Sequence, residues 1–365
     1  MSDVEALSHC MLIWRSFTHW IGGMGVLVFI LCLLPLTGGY HMNLMKAESP
    51  GPSVSKLVPK VQSTAKILYT IYIILTIVEI IFLLIGKMPL FDTLCLSFGT
   101  AGTGGFGIKN DSIASYSTYN QVVITVFMIL FGINFNAYYL LLTKKVMQAA
   151  KNEEVRYYLG IIGLAIVAIA INTREMFTSF GRAFQQAAFQ VGSIITTTGY
   201  ATTDFNVWPV FSKTILVILM FVGACAGSTG GGIKVSRLLI LCKSARKELQ
   251  LYLHPNAVKK IKMDDKAIPH EVVRATNMFL FVYIMIFVTS LLIISLDNLD
   301  MVSNFTAIAA TLNNIGPGLG AVGPTGNFNT YSYISKGVMI FDMLAGRLEV
   351  FPLLLLFKRD TWRKF

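Results

Sequence analysis

Three short stretches combine residue types that could strip water from an ion. They read Gly-Thr-Ala-Gly-Thr-Gly-Gly-Phe at 99–106, Thr-Thr-Thr-Gly-Tyr at 196–200 and Asn-Asn-Ile-Gly-Pro-Gly at 313–318. Each follows a short apolar stretch, at 90–98, 183–195 and 302–312. About ten apolar residues are too few to cross a bilayer, so each stretch reads as a re-entrant helix. Glycine opens backbone conformations closed to other residues, which lets carbonyls aim inward. Several such turns around one axis would form a ring of oxygens able to replace a cation's hydration shell. The short helices would point their partially negative C-termini at that axis. Threonine hydroxyls add neutral oxygens. No carboxylate sits in any of the three turns, which indicates a monovalent rather than a divalent cation.

The elements that must carry these turns are legible in the composition. Of 365 residues, 54% are hydrophobic and 13% charged, and the mean hydropathy is +0.64. Soluble domains carry about 25% charged residues, so a soluble, disordered or secreted disulfide-built protein is excluded. Long apolar runs fall at 11–36, 66–86, 119–142, 157–172, 209–240, 272–296 and 333–357. Most exceed the ~20 residues of a spanning helix; 157–172 needs flanking residues to complete it. Segments 37–65, 143–156, 243–271 and 358–365 hold 18 of the 30 Lys and Arg, whereas 1–9, 87–118, 173–208 and 297–332 hold 4. The positive-inside rule makes the first set cytoplasmic, the C-terminus included. The net charge of +11 is therefore topological and does not indicate nucleic acid. The segment Lys243–Lys266, which contains Lys259-Lys260-Ile261-Lys262, is read as the longest cytoplasmic loop, solvated and headgroup-facing, with a docking surface for a cytosolic partner as the alternative.

Order along the chain repeats three times: span, short helix, glycine-rich turn, span. Irregular backbone at membrane depth is tolerated only where it is buried in protein or lines a wet cavity, so the three turns share a polar axis. The expected fold is an all-α polytopic membrane protein of repeated helix–pore-loop–helix units.

Other motifs have plainer readings. Gly102–Gly107 matches G-x-G-x-x-G, but no strand precedes it. Gly227–Lys234 resembles a P-loop broken by Ile233, and Val235 stands where Ser or Thr is required. Gly223 and Gly227 could form a close-packing G-x-x-x-G face. Four glycines in 227–232 weigh several kcal/mol against a continuous helix, at about 1 kcal/mol each, so a break is preferred. Arg347 lies inside the last apolar run, where a charge faces a cavity or a partner; Glu349, two residues on, is a poor local partner. Glu79 receives the same reading less strongly, and Asp342 and Lys336 are divided between structural pairing and a pore role. Histidines 9, 19, 41, 254 and 270 lack metal-ligand spacing, and Cys10, Cys32, Cys95, Cys225 and Cys242 read as buried free thiols. No catalytic constellation is present, so the chain is not read as an enzyme and no cofactor is expected beyond a transported ion.

Taken together, the three turns, His19-Trp-Ile-Gly-Gly-Met-Gly25, Gly227-Ser-Thr-Gly-Gly-Gly-Ile-Lys234 and Gly346-Arg-Leu-Glu349 resemble the TrkH/KtrB/HKT superfamily of potassium transporters, most closely its bacterial TrkH/TrkG branch. The resemblance covers essentially the whole chain. It implies repeats around a pseudo-fourfold pore and a K⁺ filter of backbone carbonyls near Thr103, Gly104 and Gly105, Thr197, Thr198 and Gly199, and Asn314, Ile315 and Gly316. It also implies a mobile loop beneath the filter, carrying Gly227, Gly230, Gly231, Gly232 and Lys234, with Arg347 obstructing the resting pore. A TrkA-like cytosolic ring of nucleotide-binding subunits, a membrane homodimer and a bacterial inner-membrane location, with channel-like or symport transport, are further expectations. On this reading residues 1–36 hold the final helix of an incomplete first repeat. Repeats follow at 66–142, 157–242 and 271–357, with a basic cytoplasmic segment at 243–270 and a tail at 358–365. A non-conducting remnant or assembly subunit is the alternative.

Overall fold

The apolar runs become helices, because at membrane depth a backbone must satisfy its own hydrogen bonds. The computed structural model describes residues 3–25, 61–256, 260–348 and 350. The helices are α1 (His9–Met24), α2 (Val61–Ile85), α3 (Leu90–Ala101), α4 (Thr118–Phe131), α5 (Phe135–Leu142), α6 (Val146–Ala150), α7 (Glu153–Asn172), α8 (Phe180–Ile195), α9 (Val210–Val222) and α10 (Val235–Leu253). A two-residue hairpin, β1 (Lys262–Met263) with β2 (Lys266–Ala267), precedes α11 (His270–Ile294), α12 (Met301–Leu312) and α13 (Tyr333–Arg347). Side-chain caps start several helices. Asn152 accepts from Val155 N–H at α7, Ser179 from Arg182 N–H at α8, and Asp300 from Ser303 N–H at α12. Each such cap contributes about 1 kcal/mol.

Three helices among the described residues, Ser63–Ile85, Glu153–Asn172 and His270–Asp297, are apolar and long enough to cross a membrane. Glu153–Arg156 supply the length that 157–172 lacked. Their outward faces are apolar: Ile73, Ile77, Ile81 and Leu84 on α2, and Phe281, Met285, Val288 and Leu292 on α11, are all exposed. Such stripes suit lipid rather than water. The short helices are the buried ones. α3 packs on α1 and α2, α8 on α7, α4 and α9, and α12 on α13 and α11.

Several expectations change. The 119–142 run is not one span: α4 and α5 meet at 90° across Gly132–Asn134. Bending frees the last carbonyls of α4, and each finds a donor. Ile129 accepts from the Tyr158 hydroxyl (3.1 Å), Leu130 from Tyr138 (2.7 Å), Phe131 from Thr229 (3.3 Å), and Gly132 from Cys225 N–H (3.0 Å). Asn134 caps α5 through Asn136 N–H at 2.9 Å. Helix α13 ends at Arg347 with Leu348 extended, and Val350 is again helical; Glu349 and residues beyond Val350 lie outside the described residues. α1 ends at Met24 before Gly25, whose φ is +91°. The rest of the 11–36 run, the 37–60 segment, Cys32, His41 and Lys259 also lie outside the described residues. The break expected in 209–240 falls at 223–234, between α9 and α10, so Gly223 and Gly227 do not share a helix face. Residues 243–253 continue α10 as helix. Two of the cysteines, Cys95 and Cys225, are buried free thiols, but Cys10 and Cys242 are exposed, on faces that the apolar-run reading alone could not orient.

Candidate ion pathway

The three glycine-rich turns have one backbone design. α3, α8 and α12 each end in a residue of left-handed conformation: Thr103 (φ +52°), Thr197 (φ +58°) and Asn314 (φ +57°). The next N–H reaches back five residues, Gly104 to Gly99 O at 2.9 Å, Thr198 to Ser193 O at 2.9 Å and Ile315 to Ala310 O at 2.8 Å. This is the Schellman closure of a helix. Two residues past the left-handed position comes a glycine of positive φ: Gly105 (+62°), Gly199 (+84°) and Gly316 (+106°).

A left-handed threonine costs about 1–2 kcal/mol relative to the ordinary conformation, and glycine would avoid that cost. The side chains explain the choice. Thr103 Oγ1 donates to Thr229 O at 2.8 Å, Thr197 Oγ1 accepts from Gly231 N–H at 2.6 Å, and Asn314 Nδ2 donates to Met343 O at 3.0 Å. Each turn is thereby tied to the element beneath it, which a glycine could not do.

The turns also touch one another. A Cβ on Gly105 would overlap the Thr198 carbonyl oxygen, and one on Gly199 would overlap that of Ile315. Among the described residues, the carbonyls of Thr103, Gly104, Thr197, Thr198, Asn314 and Ile315 accept no hydrogen bond. Six such carbonyls within three abutting turns form a concentration of free oxygen acceptors. Beside them lies a cavity of about 840 Å³, lined by Thr103, Gly104, Thr197, Asn314, Ile315 and Gly316 together with residues of α1 and α13. Thus the structure brings all three sequence-singled turns to one place.

Beneath the turns runs the 223–234 segment. Gly223, Gly227 and Gly232 have φ of +71°, +68° and +77°. Gly231 packs so closely that a Cβ would lie 2.6 Å from Asn313 O, and one on Gly230 would lie 2.5 Å from Ala224 Cβ. Lys234 is buried; its ammonium turns back to the Gly230 carbonyl instead of entering the cavity. Arg347, at the end of α13, donates through Nη1 to Thr229 O (2.8 Å) and through Nη2 to Gly22 O (2.7 Å) and Gly23 O (2.8 Å). One guanidinium therefore joins the loop to the end of α1 beside the cavity.

Other singled-out residues are elsewhere. Glu79 and Asp342 are fully buried in α2 and α13, outside the cavity lining, and Asp342 accepts from the Ser290 hydroxyl at 2.8 Å. Lys336 lines the cavity and donates to Asn329 O at 3.3 Å. His19 backs the first turn: its Nε2 lies 3.1 Å from Gly102 O, and its ring fills the space that side chains at Gly102 and Gly104 would need. Among the described residues, no group of three metal-ligating side chains exists. Sequence reasoning missed Glu154, which is buried between α7, α10 and the loop. The signal available was a second acid, after Glu153, at the start of an apolar run.

Buried short helices, abutting oxygen-rich turns and lipid-facing long helices define a polytopic helical membrane protein of the ion-transporting class. Comparison with known proteins narrows this. The family model described as "TrkH: Cation transport protein" matches residues 1–363, and the chain belongs to that family, one of transporters rather than enzymes. The Trk system potassium uptake protein TrkH of Salmonella typhimurium strain LT2 is 36% identical over 366 residues, covering 99% of this chain and 75% of its own. TrkH of Vibrio parahaemolyticus is 38% identical over 368 residues, with the same coverage. TrkG of Escherichia coli K12 is 32% identical over 372 residues, covering 100% and 75%. The crystal structure of the potassium transporter TrkH from Vibrio parahaemolyticus superposes with a TM-score of 0.83 at 34% identity, covering 99% of this chain and 75% of that one.

Proposed function

We propose that this chain is a pore-forming subunit for transmembrane potassium transport. Ions lose their water to the carbonyls of Thr103–Gly105, Thr197–Gly199 and Asn314–Gly316, and leave stepwise past the 223–234 loop. The observation that carries this reading is the shared geometry of the three turns, with six hydrogen-bond-free carbonyls beside one cavity; the Gly105 carbonyl accepts from Gly107 N–H at 3.0 Å. Neutral oxygens in that number suit a monovalent cation, and the relatives named above are potassium uptake proteins. The loop serves as the gate and Arg347 as its latch: the guanidinium holds Thr229 beneath the filter in the resting state. A bacterial inner-membrane location, a cytosolic C-terminus, a nucleotide-binding cytosolic ring and a membrane homodimer belong to the same proposal, as does either channel-like or symport transport. A second reading, a non-conducting assembly subunit, is supported by the count of turns, three among the described residues where a fourfold filter has four.

The test is K⁺ uptake in bacteria lacking their own K⁺ transporters. One strain carries the chain as written and another carries it with an added helix–turn–helix unit at its N-terminus. Uptake by the first supports the pore reading directly. Uptake by the second alone supports an incomplete pore. Silence in both strains, with the protein present in the membrane, refutes conduction.

A further inference from the structure

The 223–234 loop is held at two levels, and only the upper one involves Arg347. At the lower level stands Glu154, 3% exposed, in the first turn of α7. Its Oε1 accepts from Ala226 N–H at 2.6 Å, at the start of the loop, and from Ser236 N–H at 3.1 Å, in the first turn of α10. Its Oε2 accepts from Asn134 Nδ2 at 3.3 Å, at the corner of the bent α4–α5 pair. A buried carboxylate is retained at such depth only when donors surround it, and here the donors come from both ends of one glycine-rich segment. Helix polarity adds to the fit, since α10 directs its positive N-terminus at the same oxygen. Around Glu154 the base is stitched further: Cys225 N–H to Gly132 O at 3.0 Å, Phe135 N–H to Gly227 O at 3.1 Å, and Val235 N–H to Ala224 O at 3.1 Å. Above it, the tip is held by Arg347 and Thr103 at Thr229 and by Thr197 at Gly231.

We propose that Glu154 is the fixed pivot of this loop: one carboxylate clamps both of its ends to the α4–α5 corner, so that residues 228–231 move alone when the gate opens. The proposal rests on the gating reading and adds a positioning residue to it. Glu154 does not touch the ion. It keeps the flap short, so a small displacement of the tip clears the filter while the base continues to seal the protein.

Cys225 supplies a reporter, because it is buried and adjoins the amide that Glu154 holds. Cys10, Cys32, Cys95 and Cys242 are replaced by Ala in the full chain, and labelling of Cys225 by a membrane-permeant maleimide is timed in native membranes beside K⁺ flux. Glu154→Ala should speed labelling roughly tenfold or more, because bonds to a charged acceptor are lost and local opening sets thiol access. Glu154→Gln keeps an acceptor oxygen for the two amides and should stay within about threefold of the parent. Arg347→Ala should raise flux with Cys225 still protected. Where Glu154→Ala does not accumulate, Glu154→Asp, one methylene short of both amides, takes its place with the same expectation. Parent-like labelling in the Ala or Asp variant overturns the pivot. So does Cys225 exposure in Arg347→Ala alongside raised flux, since the whole loop would then move. Unchanged flux in Arg347→Ala overturns the gate itself, and is read independently of the Glu154 labelling.

Discussion

Among the described residues, replacing Arg347 by Ala removes three hydrogen bonds to backbone carbonyls but should free the loop by the value of one. Nη2 serves Gly22 and Gly23 at the end of α1, and only Nη1 reaches the loop, at Thr229 O. A hydrogen bond to a charged group contributes about 1.5–3 kcal/mol. Arg347 is half-buried, so the low end applies, and about 1.5 kcal/mol corresponds to a roughly tenfold change in the open-to-closed ratio. Thr229 O keeps its second donor, Thr103 Oγ1. That hydroxyl has a single proton, which it divides between Thr229 O and Gly102 O, so it cannot replace the lost bond in full. Arg347→Lys, with a point charge in place of a fork, should fall between wild type and Ala. The assay is tracer K⁺ or Rb⁺ flux into proteoliposomes at matched protein content, with Na⁺ competition as a control for the filter. A rise of about tenfold in K⁺ flux with unchanged K⁺ preference is expected. Equal or lower flux in the Ala variant, with the protein folded, would refute the latch argument.

Gly199→Ala and Gly316→Ala should separate two costs. At Gly199 a Cβ meets the Ile315 carbonyl as well as a φ of +84°, whereas at Gly316 the φ is +106° but no atom lies within 4 Å. The first should abolish selective uptake, and the second should retain part of it, as read by K⁺/Na⁺ competition. Thr197→Gly relieves about 1–2 kcal/mol of backbone cost and loses a bond of similar value to Gly231 N–H, so the melting temperature should barely move while basal flux rises. The Asp300 carboxyl is held below its ordinary range by the Ser303 hydroxyl and N–H. Its depressed pKa gives stability that is present above the unfolded value near 4 and is lost as pH falls through the folded one. The stability advantage of wild type over Asp300→Asn should therefore shrink between pH 6 and pH 3 in thermal melts.

Much of this arrangement is written in local residue patterns. The three turns could be found because helix-ending chemistry is local: a short apolar run followed by Gly and Thr has few other backbone solutions at membrane depth. The break in 209–240 was legible for the same reason, since clustered glycines at 227–232 oppose a helix wherever they stand. The 90° bend at Gly132–Asn134 was not. Gly132, Asn134 and Asn136 in an apolar run are compatible with a straight helix, and besides the nearby Tyr138 the bend is held by Tyr158, Thr229 and Cys225, all distant in sequence. Glu154 was hidden differently. An acid beside Glu153 at the head of a span reads as ordinary first-turn charge, yet Glu153 pairs with Lys243 at the edge while Glu154 turns inward. Lys234 carries the opposite lesson: a lysine at the end of a glycine run resembles a broken P-loop, but its ammonium turns back to the loop's own Gly230.

The bent α4–α5 pair has a consequence for biosynthesis. To the machinery that inserts a nascent chain into the bilayer, 119–142 is one hydrophobic segment, and of the groups that hold its right angle only Tyr138 and Asn134, within the run itself, are made by that stage. The other donors to its freed carbonyls emerge later, with Tyr158 and then with Cys225 and Thr229. A ribosome stalled before the glycine-rich loop would therefore hold a straight helix, because a bent one would leave carbonyls unsatisfied in lipid. The full corner should then form within the membrane only after the loop arrives. Maturation of this protein thus has an order, in which a span is first threaded and only afterwards folded over.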